Sequence, residues 1–328
     1  MFKKLRLFIL INNNEIAVSS ACKLVERLGL PQFQLGTVFD ELKSQRINSP
    51  ICGLLGTEFP LWKLGELLDE TWVGEDILNG LAELLYFRQA AENTHPNPTF
   101  LYLQTSFFND ARRLYEQHPQ LYSHELVDLR QRLLNTNVLK IGIQVCDGDH
   151  YSSYVTSVNS DKFNHGDSMH NPPLADALQV FQWVFNDIPG FKLERIDSDA
   201  RWIAHQGNGN GGDGSCGIAT FNFTERFLDP DTPSWSGTHA QQFRDHALRD
   251  LVLYHVLAKE IKGYIADWVS RCVPTTKHKI PNAEFCGYND YNLYSPKVCS
   301  SPCYRNYYSH TIYFNSRIIT QSIRSWTS

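Results

Sequence analysis

The stretch VLKIGIQVCDGDHYSSYVTSV, residues 138–158, decides the fold. Its first part, Val138 to Val145, alternates and carries β-branched residues, which predicts a strand. Asp147-Gly148-Asp149 has the composition of a turn. Tyr151–Val158 reads as a second strand, so the two make a hairpin with His150 between turn and strand. Towards the N-terminus the pattern turns helical, with short helices expected at 15–28, 35–45 and 64–68 and longer ones at 76–89 and 108–134. In the first of the longer ones Ile77, Leu78, Leu81, Leu84 and Leu85 trace an apolar face at helical spacing. Gly29 reads as a C-terminal cap, and Ala91–Pro98 as a polar bridge. Towards the C-terminus a helix is expected at Ala175–Asn186, with short strands at Phe191–Ile196 and Arg201–His205. A glycine-rich loop, Gly207 to Ser215, leads into an apolar helix that opens at Cys216. A long amphipathic helix over His239–Cys272 carries Phe243, Ala247, Leu251, Tyr254 and Leu257 on one face. After Pro274 the chain is rich in Tyr, Asn, Ser and Cys and poor in Leu, the composition of an extension with weak structure of its own. Helices, a hairpin and a strand beside a buried helix define an α+β class.

The chemistry lies on both sides of the hairpin. His150 opens the second strand, Asp167 follows after Asn164-His-Gly, and Cys216 stands between the glycine loop and the buried helix. A thiolate is favoured by a nearby imidazolium, by a helix N-terminus and by partial exposure. An aspartate beside the imidazole would fix its tautomer and stabilise its charged form. Glycines crowded around one cysteine, as in Gly211-Gly-Asp-Gly-Ser-Cys216-Gly, let backbone N–H groups approach a ligand closely. A lone cysteine is more often a small apolar filler, so the local context carries this reading. Gly207-Asn-Gly-Asn-Gly-Gly212 formally matches a dinucleotide fingerprint, but no βαβ unit follows and no acidic residue closes a second strand. His165 and His170 read as surface loop histidines and His205 as a strand residue; Trp183, Trp202, Trp235 and Trp268 read as core or interface.

Composition bounds the rest. Thirty Lys and Arg against 35 Asp and Glu give 30 − 35 = −5, which removes the electrostatic case for general nucleic-acid binding. At 42% hydrophobic the 328 residues can bury a real core. The eight cysteines form no compact disulfide framework, and Cys299 with Cys303 is one loose pair where zinc needs about four ligands. No metal or other cofactor is expected. Residues 1–11 imitate a signal peptide, but Arg6 interrupts the apolar run and Asn12–Asn14 end it, so a short buried strand is expected there. No apolar run reaches the roughly 18 residues of a membrane span. A soluble, intracellular protein of nucleus or cytoplasm, without membrane contact, is the expectation.

These motifs resemble the ubiquitin-like-protein-specific cysteine proteases, which include the SUMO proteases and the adenovirus-type proteases. Trp72-Val-Gly-Glu-Asp-Ile77-Leu-Asn79 is similar to that family's opening motif. His150-Tyr151, Gly166-Asp167-Ser168, and Gln206 ahead of Ser215-Cys216-Gly217 follow in the family's order. The resemblance spans about residues 56–265. It implies a papain-like α+β fold of the ubiquitin-like protease type, a small mixed sheet packed against a buried helix that bears the nucleophile. It implies a catalytic domain at 56–265 between an N-terminal extension (1–55) and a C-terminal one (266–328). The implied roles are Cys216 as nucleophile, His150 as base and then acid, Asp167 as its orienter, and Gln206 with the Cys216 N–H as oxyanion donors. Trp72, Tyr151 and Gly217 would line a narrow tunnel for a Gly-Gly tail. The implied activity is that of a thiol protease or isopeptidase acting on a ubiquitin-like, most closely SUMO-like, modifier and its conjugates.

Two departures from the family stand out. Tyr151 occupies the place where the family usually has tryptophan, and nine residues, not about five, separate Gln206 from Cys216; Asn210 has the usual spacing and is the alternative amide donor. Two other functions compete. Asp213-Gly-Ser-Cys216 also resembles the cysteine motif of ovarian-tumour-type deubiquitinases, with His310 as the late histidine, though Thr311 follows where an aromatic is expected. A catalytically inactive module that only binds a ubiquitin-like surface is the third reading.

Overall fold

The hairpin forms, and three further strands extend it into a sheet. A computed structural model of the chain describes residues 46–272 apart from 47, 55, 93–98, 121, 136–137 and 208–213, with parts of 18–27; for 90–92, 135 and 259–272 it describes the backbone only. The strands are β1 (Phe100–Leu103), β2 (Lys140–Asp147), β3 (His150–Ser157), β4 (Lys162–Asp167) and β5 (Arg195–Ser198). The helices are α1 (Glu75–Glu92), α2 (Phe107–Gln117), α3 (His124–Asn135), α4 (Ala177–Val184), α5 (Cys216–Leu228) and α6 (Ala240–Cys272), with 3-10 turns at Leu61–Leu67 and Gly237–His239. The strands lie in the order β1-β2-β3-β4-β5, with β1–β2 and β4–β5 parallel and the two central pairs antiparallel.

The sheet has helices on both faces. One core joins Leu64 and Leu67 of the first 3-10 turn, Ile77 and Leu78 of α1, Cys216 and Ala219 of α5, Leu248 and Leu251 of α6, and Tyr151 and Val155 of β3. The other joins Phe108 of α2, Leu129 of α3, Phe181 of α4 and the alternate strand residues Ile141, Tyr154 and Phe163. The period of two along β3 produces this division, since Tyr151 and Val155 point to one face and Tyr154 to the other. α5 packs closely on the sheet: Gly166 of β4 lies under Phe223, and a Cβ there would stand 2.6 Å from the ring.

Several expectations need correction. The helix expected at 108–134 is two, α2 and α3, parted at His118-Pro119, because a residue before proline is driven out of the helical region. Leu64–Leu68 is the end of a 3-10 turn. β1 and β4 were not expected. Phe191–Ile196 yields strand only from Arg195, and Arg201–His205 is not a strand at all but turn and coil, so Gln206 does not follow a strand. His165 is no surface residue: it is 1% exposed on β4, packed on the Tyr154 ring and bonded to Ser198 Oγ. His170 is exposed as expected, whereas His205 is exposed coil. Trp235 is buried, and Trp183 and Trp202 are packed against the two cores. The expected strand in residues 1–11, the helix at 35–45, the segment after Pro274 with His310, Cys299 and Cys303, the Trp268 side chain, Asn210 and Asp213 lie outside the described residues. Among the described residues no group of His, Cys, Asp and Glu could hold a metal, and no helix is long and apolar enough to cross a membrane.

Candidate active site

Two features place His150. Asp147 pairs with His150 across the two-residue turn Gly148-Asp149, so the histidine is the first residue of β3. Gly148 has φ +64°, the conformation a tight hairpin asks of its first central residue. β4 runs back antiparallel, with Ser152 opposite Asp167, so the last residue of β4 lies beside the first residues of β3. By strand alternation His150 and Asp167 share one side of the sheet. His150 Nε2 stands 2.9 Å from Asp167 Oδ2, and their side chains are 21% and 4% exposed. The second carboxylate oxygen, Oδ1, accepts the Met169 N–H at 2.6 Å.

Nδ1 of His150 is left free by Asp167, and the Cys216 side chain lies near enough to the imidazole to favour its charged form. Burial disfavours the charged imidazole. The hydrogen bond with Asp167, and the interactions with the Asp167 and Cys216 side chains and their charges, outweigh it and push the histidine up to about 10. For Asp167 burial acts upward, but the His150 hydrogen bond and charge hold the carboxyl below the usual carboxylate range. Imidazolium and carboxylate therefore form an ion pair at neutral pH.

Cys216 is the first residue of α5 and is 2% exposed. The first intrahelical bond runs from Ala219 N to Ser215 O, so the Cys216 and Gly217 N–H groups have no intrahelical acceptor and sit at the positive end of the helix. The first turn is tied to the sheet through Gln144, a fully buried residue of β2. Its Nε2 donates to Gly217 O at 2.8 Å and Thr220 Oγ1 at 2.7 Å, and its Oε1 accepts the Tyr102 hydroxyl at 2.6 Å. Sequence reasoning missed Gln144; a polar residue inside an alternating apolar strand was the available signal.

Gln206 reaches the site from coil. Its N–H donates to Ser168 O at 2.8 Å, and the Ser168 hydroxyl donates to Gln206 Oε1 at 2.8 Å. The carbonyl end is thus anchored to the residue after Asp167, and the amide Nε2 has no partner among the described residues. Gly217 lies in the first turn of α5, against Leu78 and Tyr151.

Trp72 and Tyr151 come together, but as a closed pair. Their rings stack with centroids 4.7 Å apart at 27°, Tyr151 1% and Trp72 37% exposed. A peptide threaded between two rings needs about 7 Å, two van der Waals contacts, so the expected tunnel is shut in this conformation. The loop carrying Trp72 is held by Glu66, whose Oε2 accepts the Gly74 N–H at 2.7 Å. Asn79 of the same motif serves the scaffold, its Oδ1 accepting the Thr105 N–H at 3.0 Å. A cavity of about 510 Å³ lies elsewhere, between α1, α5 and α6, lined by Leu81, Phe221, Glu225, Phe243 and Asp250.

No protein-family model matches the sequence, and no curated protein matches it. Solved structures do. The chain is similar to the Ulp1-like SUMO protease catalytic domain of Chaetomium thermophilum, at 13% identity over 68% of this chain and 89% of that one, with a TM-score of 0.50. It is also similar to the C-terminal Ulp1 protease domain solved in complex with Smt3, the yeast orthologue of SUMO (16% identity, 69% and 96% covered, TM-score 0.49). A third similar structure is described as a de-sumoylating protease (12% identity, 69% and 96% covered, TM-score 0.47). The Chaetomium likeness, with the mixed sheet packed on α5, gives the fold: α+β, of the ubiquitin-like protease type. In fold the chain resembles the Ulp1-type SUMO proteases.

Proposed function

We propose that the protein is a thiol protease or isopeptidase that cleaves after the C-terminal glycine of a ubiquitin-like, SUMO-like modifier. The carrying observation is the assembly of Cys216, His150 and Asp167 at the N-terminus of a buried helix. An imidazolium close to a sulfur stabilises its thiolate form. The Cys216 sulfur attacks the carbonyl carbon of the terminal glycine, and the developing oxyanion meets the Cys216 N–H and the Gln206 amide. The C–N bond breaks as His150 gives its proton to the departing lysine amine or peptide N-terminus. Water, deprotonated by the now neutral His150, attacks the thioester; the modifier leaves as carboxylate and Cys216 is restored. Asp167 keeps the imidazole oriented and stabilises its charge. Trp72 and Tyr151 part to admit two glycines, whose lack of side chains suits a slot between flat rings.

His150 at the sulfur supports this order of residues over the ovarian-tumour order, in which His310 would be the base. The catalytic unit is proposed to be residues 56–265, and a reducing compartment, nucleus or cytoplasm, suits its thiol. The test is labelling by ubiquitin-like modifiers carrying a C-terminal electrophile, SUMO and ubiquitin among them. Native protein is expected to form an adduct at Cys216 with SUMO. Cys216→Ala abolishes it, His150→Ala reduces it at least about a hundredfold, and His310→Ala leaves it intact. A native protein that binds a modifier without labelling is the inactive module instead.

A further inference from the structure

Arg244, on α6, is 0% exposed. Its Nη1 donates to Glu66 O at 2.9 Å, and its Nη2 to Thr71 O at 2.7 Å and Gly214 O at 2.9 Å. Nε and Nη2 each lie 3.3 Å from Ser215 Oγ. Every one of these acceptors is neutral, and no carboxylate pairs with the guanidinium among the described residues. Withdrawing that cation from water is costly, and an apolar side chain would fill the space without the cost. What a guanidinium adds is a rigid, planar set of donors that reaches several carbonyls at once.

The carbonyls it reaches belong to the two sides of the site. Thr71 immediately precedes Trp72, and Gly214 stands two residues before Cys216. The two backbones touch: Gly214 has φ +71°, and a Cβ on it would lie 2.5 Å from Thr71 C and 2.8 Å from Trp72 N. Their only shared side-chain donor among the described residues is one nitrogen of Arg244.

We propose that Arg244 is the positioning residue that sets Trp72 relative to Cys216, clamping the Thr71 and Gly214 carbonyls with a single guanidinium nitrogen. It thereby fixes the slot through which a substrate tail reaches the sulfur, a role that rests on the function proposed above. Arg244 makes no hydrogen bond to the imidazole or the sulfur; its charge acts on Cys216 only through space, so the reactivity of the thiol depends on it less than the slot does.

The test compares two reagents at Cys216 in the full chain. Iodoacetamide needs only the sulfur and its imidazole; a modifier with a C-terminal electrophile also needs the slot. In Arg244→Met, which also removes a charge acting on Cys216, iodoacetamide alkylation of Cys216, read by mass spectrometry, is expected to fall no more than about threefold, while modifier labelling falls about tenfold to a hundredfold. Arg244→Lys, which keeps the charge but has a single donor nitrogen, falls between. Gly214→Ala, which wedges the two backbones apart with Arg244 intact, reproduces the split if Arg244→Met does not fold. Equal loss with both reagents, or no loss with either, overturns the proposal. Should wild type label with no modifier, the proposed function fails separately. Hydrogen exchange then decides for Arg244: joint loss of amide protection at 70–75 and 214–218 in the variant supports the clamp, and unchanged protection there overturns it.

Discussion

Asp167 shows what one charge does here. Its carboxylate holds a histidine that burial alone would leave neutral. Asp167→Asn keeps the shape and removes the charge, and cleavage is expected to fall by roughly a hundredfold or more, checked by kcat/KM on a modifier fusion. The His150 pKa, raised to about 10, also makes a statement about stability. Its contribution is fully present below the unfolded value of about 6.5 and is lost as pH rises through about 10. Urea midpoints of wild type are expected to decline across that window, and those of His150→Gln to stay flatter. The sequence made these residues legible because Cys216, His150 and Asp167 each sit in a short local pattern. The Gln206 anchor was less legible: it comes from coil, where no periodicity exists, and is held by Ser168, distant in sequence.

At the scale of elements, the α5 first turn depends on the sheet. Gln144→Leu leaves the Tyr102 hydroxyl without its acceptor, while Gly217 O keeps the Thr220 hydroxyl, at a cost of about 1–3 kcal/mol for the buried group left unpaired, to be read as a fall in denaturant midpoint. Burial drives His165 of β4 down to about 4, so it is neutral at pH 7. Because its folded value lies below the unfolded one, the sheet loses stability as pH falls from about 6.5 towards about 4. His165→Phe is expected to flatten that acid limb in urea titrations. β4 escaped the sequence reading because Lys162-Phe-Asn-His-Gly-Asp167 has a single large apolar residue. Its strand is imposed by the ladder to β3 and by Phe223 over Gly166, both tertiary effects. Arg201–His205 failed the other way: its apolar residues pack without a ladder to join, and Ile203 is buried in coil.

At the scale of the whole molecule, the proposed 56–265 unit leans on chain beyond it. Ile51 N donates to Phe59 O, Cys52 N to His255 Nδ1 at 2.9 Å, and the Tyr254 hydroxyl to Gly53 O at 3.1 Å. Leu24 enters the same core, and Arg27 pairs with Asp245 of α6. A fragment starting at residue 18 is therefore expected to melt several degrees above one starting at residue 56, measured by calorimetry. These contacts were illegible beforehand because residues 49–53 have neither period nor length. The strand order carries a last consequence. Each strand neighbours in space the one that neighbours it in sequence, so a chain emerging N-terminus first can assemble His150 and Asp167 side by side before Cys216 has been synthesised. The thiol is then the last of the three to arrive, docking with its helix against a base already in place.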